Sequence, residues 1–242
     1  MNTPLGLQPV VAIVVAAGSG SRLGATVPKA LVEVAGVPLV VRAVAQLGAG
    51  GVAEAVVVVP AGERAAFEVA LAAAPIPVVI TAGGAERQHS VARGLAALPS
   101  GGADETSGDV VLVHDAARAF VPAEVVARVI AAVREGADAV IPAIAVSDTI
   151  REVHDAGSAV VDRSRLRAIQ TPQGFRRGVL TDAHAALADT GTIVTDDAAA
   201  AEYLGCVVSL VEGSRRSFKV TDPLDLLVAE ALAAHDGQGP AR

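Results

Sequence analysis

Aromatic residues are scarce in this chain, at 2% of 242 residues. Hydrophobic residues still make up 52%, so the core has to be built from Val, Ala, Leu and Ile. Such a core suits a parallel sheet covered by helices on both faces. The single cysteine, Cys206, excludes a disulfide framework within the chain and a cysteine-rich zinc site; it reads as a small core residue. Cations are also outnumbered: 19 Lys and Arg stand against 26 Asp and Glu, a formal charge of -7. Wrapping nucleic acid asks for the opposite balance, so any bound phosphate must meet a few local cations. No run of about 18 apolar residues, the length of a membrane span, is present. Met1–Pro9 lacks the basic cluster and apolar stretch of a signal peptide, and the expected location is the cytoplasm.

What is present is a rhythm of strands and helices. The apolar runs Val10–Val15, Ala55–Val59, Val78–Thr81, Val110–His114 and Ala139–Ile141 read as strands. Between them Pro38–Leu47, Glu63–Ala73, Glu86–Leu98 and Ala123–Glu135 read as helices, and Pro99–Gly108 as a surface loop. This alternation predicts a parallel sheet with right-handed crossovers. The rhythm breaks at about 147–174, where Asp148–Val153 and Ala159–Val161 flank the turn signal Asp155–Ser158; this is a β-arm excursion. It then resumes with helices at Arg177–Ala188, Asp196–Leu204 and Pro223–Ala234, and strands at Val207–Val211 and Phe218–Val220. The expectation is one domain over 1–242, with a frayed tail from about 236.

The first strand runs straight into Ala16-Ala17-Gly18-Ser19-Gly20-Ser21-Arg22-Leu23-Gly24, followed by Pro28-Lys29. Open parallel sheets bind ligands at strand carboxyl ends, and small residues let backbone N–H groups approach phosphate closely. Arg22 offers a planar fork for phosphate oxygens and Lys29 a compact charge. A P-loop needs Lys directly after its second glycine, but Ala25 follows Gly24. A dinucleotide fingerprint needs a third glycine where Leu23 stands, and an acid near the end of the second strand, which instead ends in Pro60. A nucleotidyltransferase loop, with small residues, then Arg, then Pro-Lys, fits every position. An ordinary strand-to-helix turn carrying surface cations is the plainer alternative.

Further motifs follow in order: Gly83-Gly84 with Arg87 and Ser90, His114-Asp115-Ala116-Ala117-Arg118, Asp148-Thr149, Asp162-Arg163, Gln170-Thr171-Pro172-Gln173, Thr195-Asp196-Asp197 and Phe218-Lys219-Val220-Thr221. Each alone is weak. Asp115 could hold magnesium or a ribose hydroxyl, or simply pair with Arg118. Arg163 alone reads as a solvated hairpin charge, and Thr195 to Asp197 as a helix N-cap with acids in the first turn. Together and in order, from about Val10 to Ala234, these motifs make the chain resemble the 2-C-methyl-D-erythritol 4-phosphate cytidylyltransferase family.

That resemblance implies a Rossmann-like α/β fold of the nucleotidyltransferase type and a transfer of the cytidylyl group from CTP to methylerythritol phosphate. It implies that Ala16, Ala17, Gly18, Gly20, Gly83, Gly84, Ser90 and Asp115 bind CTP. It assigns Arg118, Thr149, Thr171 and Thr195 to the acceptor, and Arg22, Lys29, Arg163 and Lys219 to catalysis. The implied cofactor is Mg2+, held mainly by the CTP phosphates, with Asp115 as its protein ligand. The implied assembly is a homodimer in which the arm reaches across to the other subunit. The chain departs from the family at His89, where many relatives carry Asp, and at Ala119, where Pro is usual. Its rivals are a ribitol 5-phosphate cytidylyltransferase, a sugar 1-phosphate nucleotidyltransferase and a catalytically silent nucleotide-binding module.

Overall fold

A computed structural model describes residues 8–18, 20, 23, 27–99 and 109–237. The apolar run after Pro9 forms β1 (Val10–Val15), as expected. A 3-10 turn at Lys29–Leu31 leads to a small hairpin, β2 (Glu33–Val34) and β3 (Val37–Pro38). Its two turn residues, Ala35 and Gly36, have φ of 47° and 72°, the left-handed pair that a tight hairpin requires. Helix α1 (Leu39–Ala49), strand β4 (Val52–Val59), helix α2 (Arg64–Leu71) and strand β5 (Val78–Ala82) follow. Next come α3 (Arg87–Ala96), β6 (Val110–Asp115), α4 (Ala123–Arg134) and β7 (Ala139–Ala145). The expected surface loop falls largely on 100–108, outside the described residues.

The excursion begins as the exposed hairpin β8 (Ile150–His154) and β9 (Gly157–Val161). The chain then returns to the main sheet as β10 (Arg167–Ile169) and β11 (Gln173–Arg176). Both run antiparallel to β7, and β11 also pairs antiparallel with β6. The sheet has eight strands, ordered β10-β7-β11-β6-β1-β4-β5, with β12 (Val208–Glu212) pairing parallel to β7. It is therefore mostly parallel, with an antiparallel insertion that the rhythm of the sequence does not show. Helices α5 (Arg177–Thr190), α6 (Asp197–Tyr203) and α7 (Pro223–Gly237) complete the order.

The expected strand at Phe218–Val220 does not form. A 3-10 turn at Arg215–Ser217 precedes it, and its tie to the body is one backbone bond, Val220 N to Ala117 O at 2.9 Å. A ladder needs a neighbour that bonds repeatedly; here Phe218 instead stacks on Phe120, with ring centroids 6.3 Å apart.

Alternate residues of the sheet feed two apolar layers. On one face Ala12, Val14 and Val57 pack with α1, α2 and α4 through Val44, Phe67 and Val129. On the other, Ile13, Val56 and Val58 pack with α3, α5 and α6 through Val91, Leu180 and Ala201. Cys206 is partly buried against this second layer. Burial on both faces explains why residues 10–15, 55–59 and 110–113 read as unbroken apolar runs.

Candidate active site

The parallel strands β1, β4, β5 and β6 end on one edge of the sheet, and a cavity of about 400 Å³ opens there. Ala16, Ala17 and Gly18 form one wall where β1 ends. The β1 direction continues into that wall, because Ala16 N donates to Val58 O at 2.8 Å. Gly84, just ahead of α3, and Ser90, in its first turn, form another part of the lining. Asp115, Lys29 and Lys219 bring charge to the same cavity.

The glycines have separable jobs. Gly20 sits at φ +63°, and a Cβ there would lie 2.4 Å from Lys29 Cβ, so the loop closes onto the lysine stem only with glycine. Gly83 is pressed between Ala17 and Ser90: a Cβ would meet Ala17 Cβ at 2.7 Å and Ser90 Oγ at 2.9 Å. Ser90 Oγ accepts from Gly84 N and donates to Glu86 O, both at 3.1 Å. Ser90 therefore fixes the turn that precedes α3, whose first N–H groups carry the positive end of the helix dipole.

Asp115 is the electrostatic centre. Lys219 Nζ lies 2.9 Å from its Oδ2, Arg87 Nε 3.5 Å from its Oδ1, and Arg118 Nε 3.9 Å from Oδ2. Burial alone would raise this carboxyl's pKa, but the attraction of Lys219, Arg87 and Arg118 holds it well below the usual carboxylate range. Its backbone N–H donates to Thr171 Oγ1 at 3.1 Å, and the same hydroxyl is 2.9 Å from His114 Nδ1. His114 is fully buried, and burial pushes its imidazole down to about 4. Arg118 donates to Ser217 O at 2.8 Å, and burial lowers its pKa against the pull of Asp115.

Of the residues expected in the site, Ala16, Ala17, Gly18, Lys29, Gly84, Ser90, Asp115 and Lys219 line this cavity. Gly83 and Gly20 back its walls. Thr171 and Arg118 stand behind Asp115 rather than on the cavity wall. Thr195 is exposed just ahead of α6. Thr149 and Arg163 are exposed on the excursion, where Arg163 donates to Ser147 O. Arg22 lies outside the described residues.

In the sequence Arg87 stands only within a motif and Asp197 reads only as a first-turn acid of α6, as it is; neither is assigned to the site from sequence, and His184 is not singled out. Arg87 NH1 donates to Asp197 Oδ2 at 2.7 Å, and Asp197 Oδ1 lies 3.0 Å from His184 Nε2. Burial opposes the Arg87 charge, yet Asp197 and Asp115 together raise its pKa. For His184 a signal existed: it shares the buried face of α5 with Leu180, Ala183 and Leu187, at helical spacing.

Among the described residues no three His, Cys, Asp or Glu side chains gather as a metal cage. Magnesium is usually held by one or two carboxylates together with substrate phosphates. Asp115 is an ionised carboxylate on the cavity wall and fits that limited part.

A mostly parallel sheet, a small-residue loop at its ligand edge and a lysine and two arginines converging on one acid define an α/β nucleotidyltransferase. The family described as 2-C-methyl-D-erythritol 4-phosphate cytidylyltransferase (IspD) matches residues 10–235, and the chain belongs to it. It is 51% identical over 228 residues to the enzyme of that name from Saccharopolyspora erythraea, covering 93% of this chain and 99% of the relative. The Streptomyces avermitilis relative is 45% identical, covering 92% and 91%. The crystal structure of the Thermus thermophilus enzyme superposes with a TM-score of 0.76 at 37% identity, covering 94% of this chain and all of that one. Among the described residues no helix is long and apolar enough to cross a membrane.

Proposed function

We propose that this protein transfers the cytidylyl group of CTP to 2-C-methyl-D-erythritol 4-phosphate, giving 4-diphosphocytidyl-2-C-methyl-D-erythritol and pyrophosphate for isoprenoid precursor synthesis. The observation that carries this reading is the meeting of the Ala16–Gly18 loop, Lys29, Asp115 and Lys219 on one cavity at the strand ends. A phosphate oxygen of the acceptor attacks the α-phosphorus of CTP, and pyrophosphate leaves. The attacking group is already an anion, so no general base is needed. The barrier is electrostatic, and catalysis is positioning plus charge stabilisation. Lys29 and Arg22 stabilise the charge that builds on the triphosphate. Lys219 orients the attacking phosphate, with Asp115 fixing its ammonium at 2.9 Å.

Magnesium, when bound, neutralises triphosphate charge and is held by the phosphate oxygens with Asp115. Backbone N–H groups of the Ala16–Gly18 loop receive phosphate, and the Gly83–Gly84 turn, with Ser90 bracing it, receives the base. Arg163 and Thr149, which are exposed and do not line the cavity of their own chain, serve the acceptor site of a second copy. The exposed β8–β9 hairpin supports that assembly, with Val153 and Val160 80% and 61% exposed. The location is the cytoplasm.

The test is pyrophosphate release with CTP, magnesium and methylerythritol phosphate, each omitted in turn. Release that needs all three establishes the reaction. Release only with ribitol 5-phosphate moves the acceptor, and silence with every acceptor removes the transferase reading. Sedimentation at micromolar concentration tests the dimer.

A further inference from the structure

Three cations converge on Asp115, more than one carboxylate can neutralise. The surplus on Arg87 is taken up on its far side. Its Nε faces Asp115 at 3.5 Å, while its NH1 donates to Asp197 at 2.7 Å. The two carboxylates belong to different elements, the end of β6 and the first turn of α6. Asp197 is 1% exposed and absent from the cavity wall. It is gripped from both sides, by Arg87 and by His184.

The start of α6 is itself fixed: Asp196 accepts from Ala199 N at 3.0 Å and from Gln173 Nε2 at 2.7 Å. Arg87 is thus a strut between a rigid helix start and the acid that holds Lys219. A guanidinium is a planar fork that reaches two partners in fixed directions, whereas an ammonium is a point charge. Buried ion pairs add little net stability but can impose a single geometry.

We propose that Arg87, anchored by Asp197, is a positioning residue for cytidylyl transfer: it sets the direction of the Asp115 carboxylate and thereby holds Lys219 against the cavity. The inference rests on the transferase reading above. Asp197 is absent from the cavity wall, which Arg87 lines, so the coupling between substitutions at the two residues, rather than either alone, reads the strut.

Turnover of the wild-type protein in the three-component assay comes first. A silent wild type overturns the transferase reading, and this inference with it, before any substitution is made. With an active wild type, Asp197→Asn and Arg87→Lys are each expected to lower kcat about 10²-fold, the scale of a misplaced reacting group. Both should remain folded by circular dichroism, with KM for CTP little changed. The double variant should be no worse than the poorer single one, because residues acting as a unit do not add. Near-normal kcat in folded Asp197→Asn, or losses that multiply in the double variant, overturns the proposal. Should Asp197→Asn fail to fold, Arg87→Lys at the partly exposed end carries the test, and wild-type kcat there overturns it.

Discussion

The ammonium of Lys219 lies 2.9 Å from Asp115 Oδ2, joining the end of β6 to the segment that follows the Arg215–Ser217 turn. The pair draws together residues about a hundred positions apart and sets a cation at the cavity mouth. Lys219→Ala is expected to lower kcat on the order of 10²-fold, as loss of one preorganised charge-stabilising donor does. Asp115→Asn, which keeps the shape but releases the ammonium, is expected to lower kcat in the same direction. Steady-state pyrophosphate release from the folded variants checks both, and full activity in either would remove the pair from the mechanism.

Lys29 begins a 3-10 turn against which Gly20 closes. Lys29→Ala should cost on the order of 10²–10³ in turnover while leaving the circular dichroism spectrum unchanged. Single-turnover rates at saturating CTP separate this from weaker binding; a loss confined to KM would assign Lys29 to ground-state binding.

Gly83→Ala places a methyl 2.7 Å from Ala17 and 2.9 Å from Ser90 Oγ. Both walls of the cavity have to move. The expected result is a loss of roughly 1–3 kcal/mol in stability, together with a raised KM for CTP. Urea titration and CTP titration measure the two effects. Gly18→Ala, where a Cβ meets nothing within 4 Å, is the control and should leave stability unchanged.

His114 predicts a pH response. Its imidazole is depressed from 6.5 to about 4 by burial, so between those values the unfolded chain binds a proton that the folded chain does not. Stability therefore falls as pH falls through that window. From pH 7 to pH 5 the loss is about 2 kcal/mol from this group. His114→Asn, which can keep the bond to Thr171, should flatten the dependence between pH 7 and pH 5. Denaturant midpoints at the two pH values, for wild type and variant, decide it.

Local pattern carried much of this fold and stopped at identifiable places. The run Val10–Val15 is apolar throughout because β1 is covered on both faces, so its limits could be read directly. Gln173–Arg176 carries no such run. It is a strand because β6 and β7 flank it, and glycine is needed at Gly174 because a Cβ there would meet Val129 at 2.5 Å. Phe218–Val220 alternates like a strand but has no ladder to join. In the site, Asp115 closes strand β6 and Lys29 belongs to the Pro-Lys motif of the loop that follows β1, where local sequence announces them. The Arg87–Asp197 bond links residues 110 apart, and no local periodicity encodes such a pair.

The antiparallel pairing of β10 with β7 sets Arg167 opposite Ala145. The chain thus leaves the sheet and re-enters it one strand spacing away. In topological terms, residues 146–166 are a single overgrown turn. A two-residue turn could close the same gap and leave every rung of the sheet in place. The arm is a graft on a finished scaffold, free to change length or sequence without renegotiating the core beneath it.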